Sequence, residues 1–160
     1  MNPNEKLIET FYTAFKNSDP AGMAACYHDD VQFSDPVFPD LKGNRARAMW
    51  ALLGQRKADP NDRWFSGIEA DDHHGRAHWE ARYRFPTNGR SVHNKIDAEF
   101  EFNDGRIIRH TDRFNFWKWS RMALGTPGLL LGWTPLLKNA VRKQLAKTLD
   151  QFIAEHPELR

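Results

Sequence analysis

The sequence predicts an α+β domain: three N-terminal helices, then a four-stranded antiparallel sheet, then a helical tail. Three observations predict it. Apolar residues recur at helical spacing through the first third of the chain. From Trp64 the period drops to two. At Thr134-Pro135 a last stretch of helical periodicity opens and runs to the C-terminus.

Leu7, Ile8, Phe11, Tyr12 and Phe15 form one face, which predicts a helix near residues 4–17. Ser18-Asp19-Pro20 ends it and starts another. Asp19 can accept from free amides, and Pro20 suits a first helical position, where no amide bond is lost. Met23, Ala24 and Tyr27 give the second helix its apolar face. Val31 to Asp35 alternates and reads as a short strand stopped by Pro36. After an irregular segment, Asn44 is placed to cap a third helix, with Ala46, Met49, Trp50 and Leu53 as its buried stripe. Trp64 to Asp71 is the next strand, and Asp72-His73-His74-Gly75 its turn. Ala77, Trp79, Ala81, Tyr83 and Phe85 then share one face. So do Val92, Asn94, Ile96, Ala98, Phe100 and Phe102 on the strand after Pro86-Thr87-Asn88-Gly89. Asn103-Asp104-Gly105 supplies the positive φ that a tight hairpin needs. Ile108, His110, Asp112, Phe114 and Phe116 share one face of the last strand. The four strands make an antiparallel meander.

In the tail, Ser120 to Leu124 reads as a short helical turn broken by Gly125-Thr126-Pro127-Gly128. From Thr134 onward, Leu137, Val141, Leu145, Leu149, Phe152 and Ile153 form one stripe, with Lys138, Arg142, Lys143 and Lys147 largely off it. Residues 1–119 are read as one α+β domain and residues 120–160 as a helical extension packed on it.

Composition excludes several classes. A chain of 160 residues buries a core without disulfide or metal staples. Six tryptophans, three tyrosines and eleven phenylalanines demand such a core and exclude global disorder. A net charge of +2 gives no argument for nucleic acid. The single cysteine, Cys26, excludes an intramolecular disulfide or a Cys-rich zinc site, and reads as a small buried residue. The N-terminus lacks a secretory pattern, and Leu129 to Trp133 is too short an apolar run to span a bilayer, so a cytoplasmic protein is expected. No phosphate loop, dinucleotide fingerprint or nucleophile elbow occurs, and no cofactor is expected. Asp71-Asp72-His73-His74 reads as a solvated turn, because adjacent hairpin residues splay apart; no metal is expected. The last helix is expected to pack on the domain or a neighbouring subunit. Its basic face, with Trp133 at its start, is the less favoured route to an anionic membrane surface.

The chemistry rests on polar residues in an apolar row. Asn94, His110 and Asp112 interrupt the inward face of the meander. His110 and Asp112 are two apart and point the same way, as an acid/base pair or as a structural hydrogen-bonded pair. Burying Asp112 as an anion is costly unless it is paired. Asp35 ends the first strand before a proline, which biases its backbone away from helix. It can face a cavity as a base or simply cap the turn.

Phe11-Tyr12-Thr13-Ala14-Phe15, Tyr27-His28-Asp29-Asp30-Val31, Phe33-Ser34-Asp35-Pro36 and Asp104-Gly105-Arg106-Ile107-Ile108 carry a resemblance. In this element order the chain resembles the nuclear transport factor 2-like superfamily over about residues 4–118, with SnoaL-like polyketide cyclases and ketosteroid isomerases the most similar branch. The resemblance implies a sheet wrapped around a long helix, an apolar cone-shaped pocket, and a homodimer. Ketosteroid isomerases place a general base in an Asp-Pro that matches Asp35-Pro36. Their tyrosine donor matches Phe11, with Tyr12 one place off and turned by about 100°. Their protonated aspartate matches Ala98, and Asp97 lies on the opposite face. Both donors of the oxyanion site are thus replaced, and steroid isomerisation is not expected. SnoaL-like cyclases carry His-x-Asp on the last strand, which matches His110-Thr111-Asp112.

The resemblance therefore implies a cofactor-independent isomerase or cyclase. Asp35, His110 and Asp112 would be its acid/base residues, and Trp50, Trp79, Tyr83, Asn94 and Phe114 would line a site for a small apolar carbonyl compound. The alternative is a non-catalytic protein of the same fold that binds a hydrophobic ligand or serves as a dimerisation module.

Overall fold

The computed structural model describes residues 1–55 and 58–160. Helix α1 (Pro3–Lys16) starts at a capping box: the Asn2 side chain accepts from Asn4 N at 2.8 Å, and Glu5 accepts from Asn2 N at 3.1 Å. Asn4 then donates to the Asp71 carbonyl at 2.9 Å, tying the helix start to a distant hairpin. At the other end, buried Arg63 donates to the Phe15 carbonyl at 2.6 Å, where a cation suits a helix C-terminus. Asp19 caps α2 (Pro20–Cys26) through Gly22 N, as its sequence predicts. Helix α2 stops at Cys26, and Tyr27 opens strand β1 (Tyr27–Ser34) instead of completing the helix. Strand β2 (Leu41–Lys42) leads to α3 (Asn44–Gly54). Asn44 does not cap α3. Gly43 holds the cap position with φ 56°, and Asn44 is already helical. Leu53 is exposed rather than part of the buried stripe.

A short 3₁₀ turn at Pro60–Asp62 precedes the meander. The meander comprises β3 (Arg63–Ala70), β4 (His74–Arg84), β5 (Ser91–Asn103) and β6 (Arg106–Arg113). Asp104 and Gly105 take positive φ in the last hairpin, as expected. The sheet order is β2-β1-β6-β5-β4-β3. The meander is antiparallel, but β1 lies parallel to β6, so the whole sheet is mixed. A register shift between Glu101 and Phe102 makes Ile107 the fully buried residue where alternation points to Ile108. The concave face holds α1 so closely that Ile8, Phe11 and Tyr12 are all fully buried.

Helix α4 (Phe116–Leu124) begins where the last strand was expected to continue, with the Asn115 side chain accepting from Lys118 N at 3.0 Å. Phe116 and Trp119 are buried in the main core, and the expected boundary at 119/120 falls inside this helix. Gly125 turns the chain at φ 70°, and a further helix, α5 (Thr126–Leu131), occupies the stretch that reads as a break. Thr134 starts α6 (Pro135–Glu155) as predicted, and Leu149 buries it against the core. A 3₁₀ turn at Pro157–Leu159 ends the chain.

Gly128 lets α5 lie against α4. A Cβ there would fall on the Ser120 carbonyl, which is backbone and cannot swing aside. Gly128→Ala is therefore expected to cost about 1–3 kcal/mol through forced separation of the two helices. Urea denaturation, with hydrogen exchange at α4 and α5, checks it. A variant with parental stability and protection would show that the approach is slack.

Candidate functional site

The parallel pairing of β1 with β6 builds the site. Phe33 lies opposite His110 and Ser34 opposite Thr111. Asp35 follows directly on Ser34, just past the last registered pair, as Asp112 follows Thr111 on β6. Phe33, His110 and Asp112 are all buried and share the concave face.

His110 is the centre of a hydrogen-bonded chain. Trp50 Nε1 donates to Tyr27 Oη at 2.7 Å. Tyr27 Oη lies 2.8 Å from His110 Nδ1, and His110 Nε2 lies 2.8 Å from Asp112 Oδ1. Trp79 Nε1 donates to the same Asp112 oxygen at 3.3 Å. Directions follow from the ends. The indole N–H of Trp50 only donates, so the Tyr27 proton is free to go to His110 Nδ1. That leaves the imidazole proton on Nε2, donated to Asp112. Rings enclose the imidazole: Trp50 stacks at 5.8 Å, Phe100 lies at 4.4 Å, and Phe11 and Phe33 meet it edge-on. Both ring nitrogens are occupied, so His110 positions Asp112 and does not itself reach a guest.

Asp35 is held differently. Its Oδ1 accepts from Val37 N at 2.7 Å and Phe38 N at 2.5 Å, the turn-capping role that its sequence also allows. The residue keeps some exposed surface, but its carboxyl is closely surrounded by protein. Burial pushes its pKa up to about 7. The nearby charge of Asp112 adds to the rise, while the Phe38 and Val37 amides and Arg142 oppose it. The two carboxyls therefore sense each other electrostatically.

Several polar ends around them lack partners among the described residues. Asp112 Oδ2 accepts no hydrogen bond, nor does Asp35 Oδ2, and the Asn94 amide makes none. Tyr12 Oη is fully enclosed and unpartnered. Burial, with the Asp112 charge adding to it, holds the Tyr12 pKa well above the usual phenol value, so the hydroxyl keeps its proton. Tyr83 Oη accepts from Trp119 Nε1 at 2.9 Å and has no acceptor for its own proton. Its pKa is raised by burial and by the charge of Asp35, against the opposing Trp119 bond. Of these, Tyr12 Oη is the fully enclosed one among the described residues; Tyr83 is 40% exposed, and the remaining open polar ends are where a guest can bond.

Of the residues expected from sequence, Asp35, His110, Asp112, Trp50 and Trp79 come together. Asn94 and Tyr83 lie further along the concave face, near the ends of their strands. Phe114 is half-buried between β6 and α4. Tyr12, Tyr27, Trp119 and Arg142 were not expected there. The signal for Tyr27 was its place at a helix end before a polar-alternating run. The tail closes over this end of the site, through Trp119 on Tyr83 and through Arg142, which donates to the Pro36 carbonyl at 2.8 Å.

The interior around His110 is filled by aromatic rings. Of the expected lining residues, Asn94 borders one of two open grooves of about 850 Å³ each; Trp50, Trp79, Tyr83 and Phe114 border neither, nor do Asp35, His110 and Asp112. Among the described residues, no group of three or more His, Cys, Asp or Glu side chains is placed to hold a metal ion. Asp71 instead closes its own turn, accepting from His73 N and His74 N at 2.8 and 2.7 Å. No helix among the described residues is long and apolar enough to cross a membrane.

The arrangement has solved counterparts. A candidate polyketide cyclase from Xanthomonas campestris pv. campestris is 23% identical, with a TM-score of 0.59, over 75% of this chain and 96% of its own. A protein of the nuclear transport factor 2-like fold and unknown function from Burkholderia pseudomallei is 18% identical, with a TM-score of 0.64, over 78% and 99%. An LEH-like epoxide hydrolase from M. tuberculosis is 21% identical, with a TM-score of 0.58, over 84% of this chain and 95% of its own. At such identities the likeness speaks for the fold alone. No curated protein matches the sequence. The family model of the SnoaL-like domain, however, matches residues 8–110, well over half of the sequence. The chain belongs to the SnoaL-like domain family and has the nuclear transport factor 2-like fold.

Proposed function

We propose that this protein is an isomerase or cyclase that moves a proton on a small apolar carbonyl compound with side chains alone. The observation that carries the reading is Asp35: a carboxyl poised near neutral pH beside a second buried carboxylate with a free oxygen. Asp35 takes a proton from the carbon next to the carbonyl. The electron pair of that C–H bond moves to the carbonyl oxygen as the enolate forms. Asp35 then returns the proton at another carbon, or the enolate carbon attacks a second carbonyl, closing a ring, and the alkoxide formed there takes the proton back from Asp35. Trp79 and His110 hold Asp112 as the second acid/base.

A second reading, a carrier of hydrophobic ligands without turnover, rests on the open groove of about 850 Å³ that Asn94, Met122 and Leu129 help to line. Deuterium uptake at the α-carbon of cyclic ketones, followed by NMR, separates the two. The parent protein is expected to catalyse exchange, and Asp35→Asn to slow it by about a hundredfold or more. Binding seen by thermal shift without any exchange would favour the carrier. Equal exchange by parent, Asp35→Asn and Asp112→Asn would remove these carboxyls from the chemistry.

A further inference from the structure

The end of the molecule built by α4, α5 and the start of α6 carries an exposed apolar cluster. Leu129, Leu130 and Leu131 are 46%, 62% and 44% exposed, and Trp133 and Leu136 are 74% and 75% exposed. All five fall within residues 129–136, and two indoles bind this stretch: Trp117 Nε1 of α4 donates to the Leu129 carbonyl at 3.2 Å, and Trp133 Nε1 to the Leu130 carbonyl at 3.0 Å. Surface leucines are ordinary singly, but a cluster at one tip marks a docking site.

Its surroundings say what docks. Between Asp112 and Asp150 the sequence has no Asp or Glu and seven Lys or Arg, although the whole chain is only +2, so the remainder is net acidic. Arg121 lies over the Trp117 ring at 4.7 Å. A groove of about 850 Å³ runs beside the tip. It is lined by Arg90, His93, Lys95, Lys118 and Arg121, with no carboxylate, and Leu129 joins it to the apolar cluster. A second copy of the chain seated on this tip by two-fold symmetry would bring two cationic surfaces together. A bilayer with anionic headgroups matches both features at once, with apolar depth for Leu130 and Trp133 and phosphates for the cations.

We propose that the α5 tip docks this protein on anionic membrane surfaces, Leu130 and Trp133 entering the headgroup boundary while Lys118 and Arg121 pair with phosphate. This moves the contact from the basic face of α6 to the tip that precedes it, and it holds whatever the buried carboxyls do. Short insertion gives reversible peripheral binding, not a span.

The test is co-sedimentation of the full chain with vesicles of phosphatidylcholine alone and of equal parts phosphatidylcholine and phosphatidylglycerol. The protein is expected to sediment with the anionic vesicles only and to be released by salt. Leu130→Ser with Trp133→Ser, and separately Lys118→Glu with Arg121→Glu, are each expected to lower partitioning by about tenfold or more, with unchanged circular dichroism. Failure of the parent protein to sediment with anionic vesicles overturns the proposal. So does partitioning that both paired variants retain. A dimer in sedimentation equilibrium that Leu130→Ser with Trp133→Ser dissociates would assign the tip to a second copy instead.

Discussion

Replacing His110 with leucine is expected to lower the unfolding free energy by about 3–5 kcal/mol. Leucine fills similar space, so the loss is not mainly a cavity effect. It comes from the two groups left behind. Tyr27 Oη loses its acceptor while still receiving the Trp50 N–H, and Asp112 keeps only the long Trp79 bond inside an apolar interior. Each orphaned partner carries its own desolvation cost. Asp112→Leu alone leaves the His110 Nε2 proton unpaired in the same way. Removing both is a different matter, because a buried polar pair exchanged for well-packed apolar groups is often close to neutral. The double variant should therefore be clearly more stable than the sum of the single losses predicts. Urea midpoints for the parent, two singles and the double decide it, provided the slopes agree. Two small, additive single effects would show that the hydrogen-bonded chain does not hold the β1–β6 pairing together.

How much of this was legible follows from geometry. The inward row His110 and Asp112 is a period-two pattern, and strands obey it wherever the register is regular. It misled only at the Glu101/Phe102 shift, which swapped Ile108 for Ile107, and at the strand end, where Asn115 caps a helix and turns Phe116 into its first residue. Helical angles were less informative. A turn of about 100° from Phe11 to Tyr12 moves a side chain off a narrow buried face. Here the curved sheet embraces α1, the buried face is broad, and both rings are inside. Tyr27 was hidden for another reason. Its spacing from Met23 fits a helix, and only the pairing of Tyr27 with Ile107 makes it a strand residue. The Asp35–Asp112 approach is of the same kind: each carboxyl is visible locally, but their adjacency depends on a parallel pairing between strands far apart in sequence. Within the helical tail, Gly125-Thr126-Pro127-Gly128 reads as a break because Gly125 and Gly128 disfavour a helix interior. Their value is a sharp turn and a backbone contact that only the folded chain reveals.

Asp35→Asn is expected to stabilise the protein above neutral pH while removing its proposed chemistry. Burial pushes the Asp35 carboxyl of the folded chain up to about 7, from the ordinary aspartate value of 3.8. Between those values the native state binds more protons than the unfolded state, so stability falls as pH rises through the window. A rise of this size corresponds to about 4 kcal/mol, fully present as a cost only above pH 7. Asparagine keeps a carbonyl oxygen that can still accept from Val37 N and Phe38 N, and it has no proton to lose in this range. Its urea midpoint should therefore stay flat where the parent declines, the two curves meeting near the acid end and separating toward alkaline pH. Parallel curves would mean that the Asp35 carboxyl is solvated and unperturbed by burial. A separation that coincides with loss of α-carbon exchange would tie the cost to function: the protein keeps a destabilising carboxyl beside Asp112 because a base must sit there.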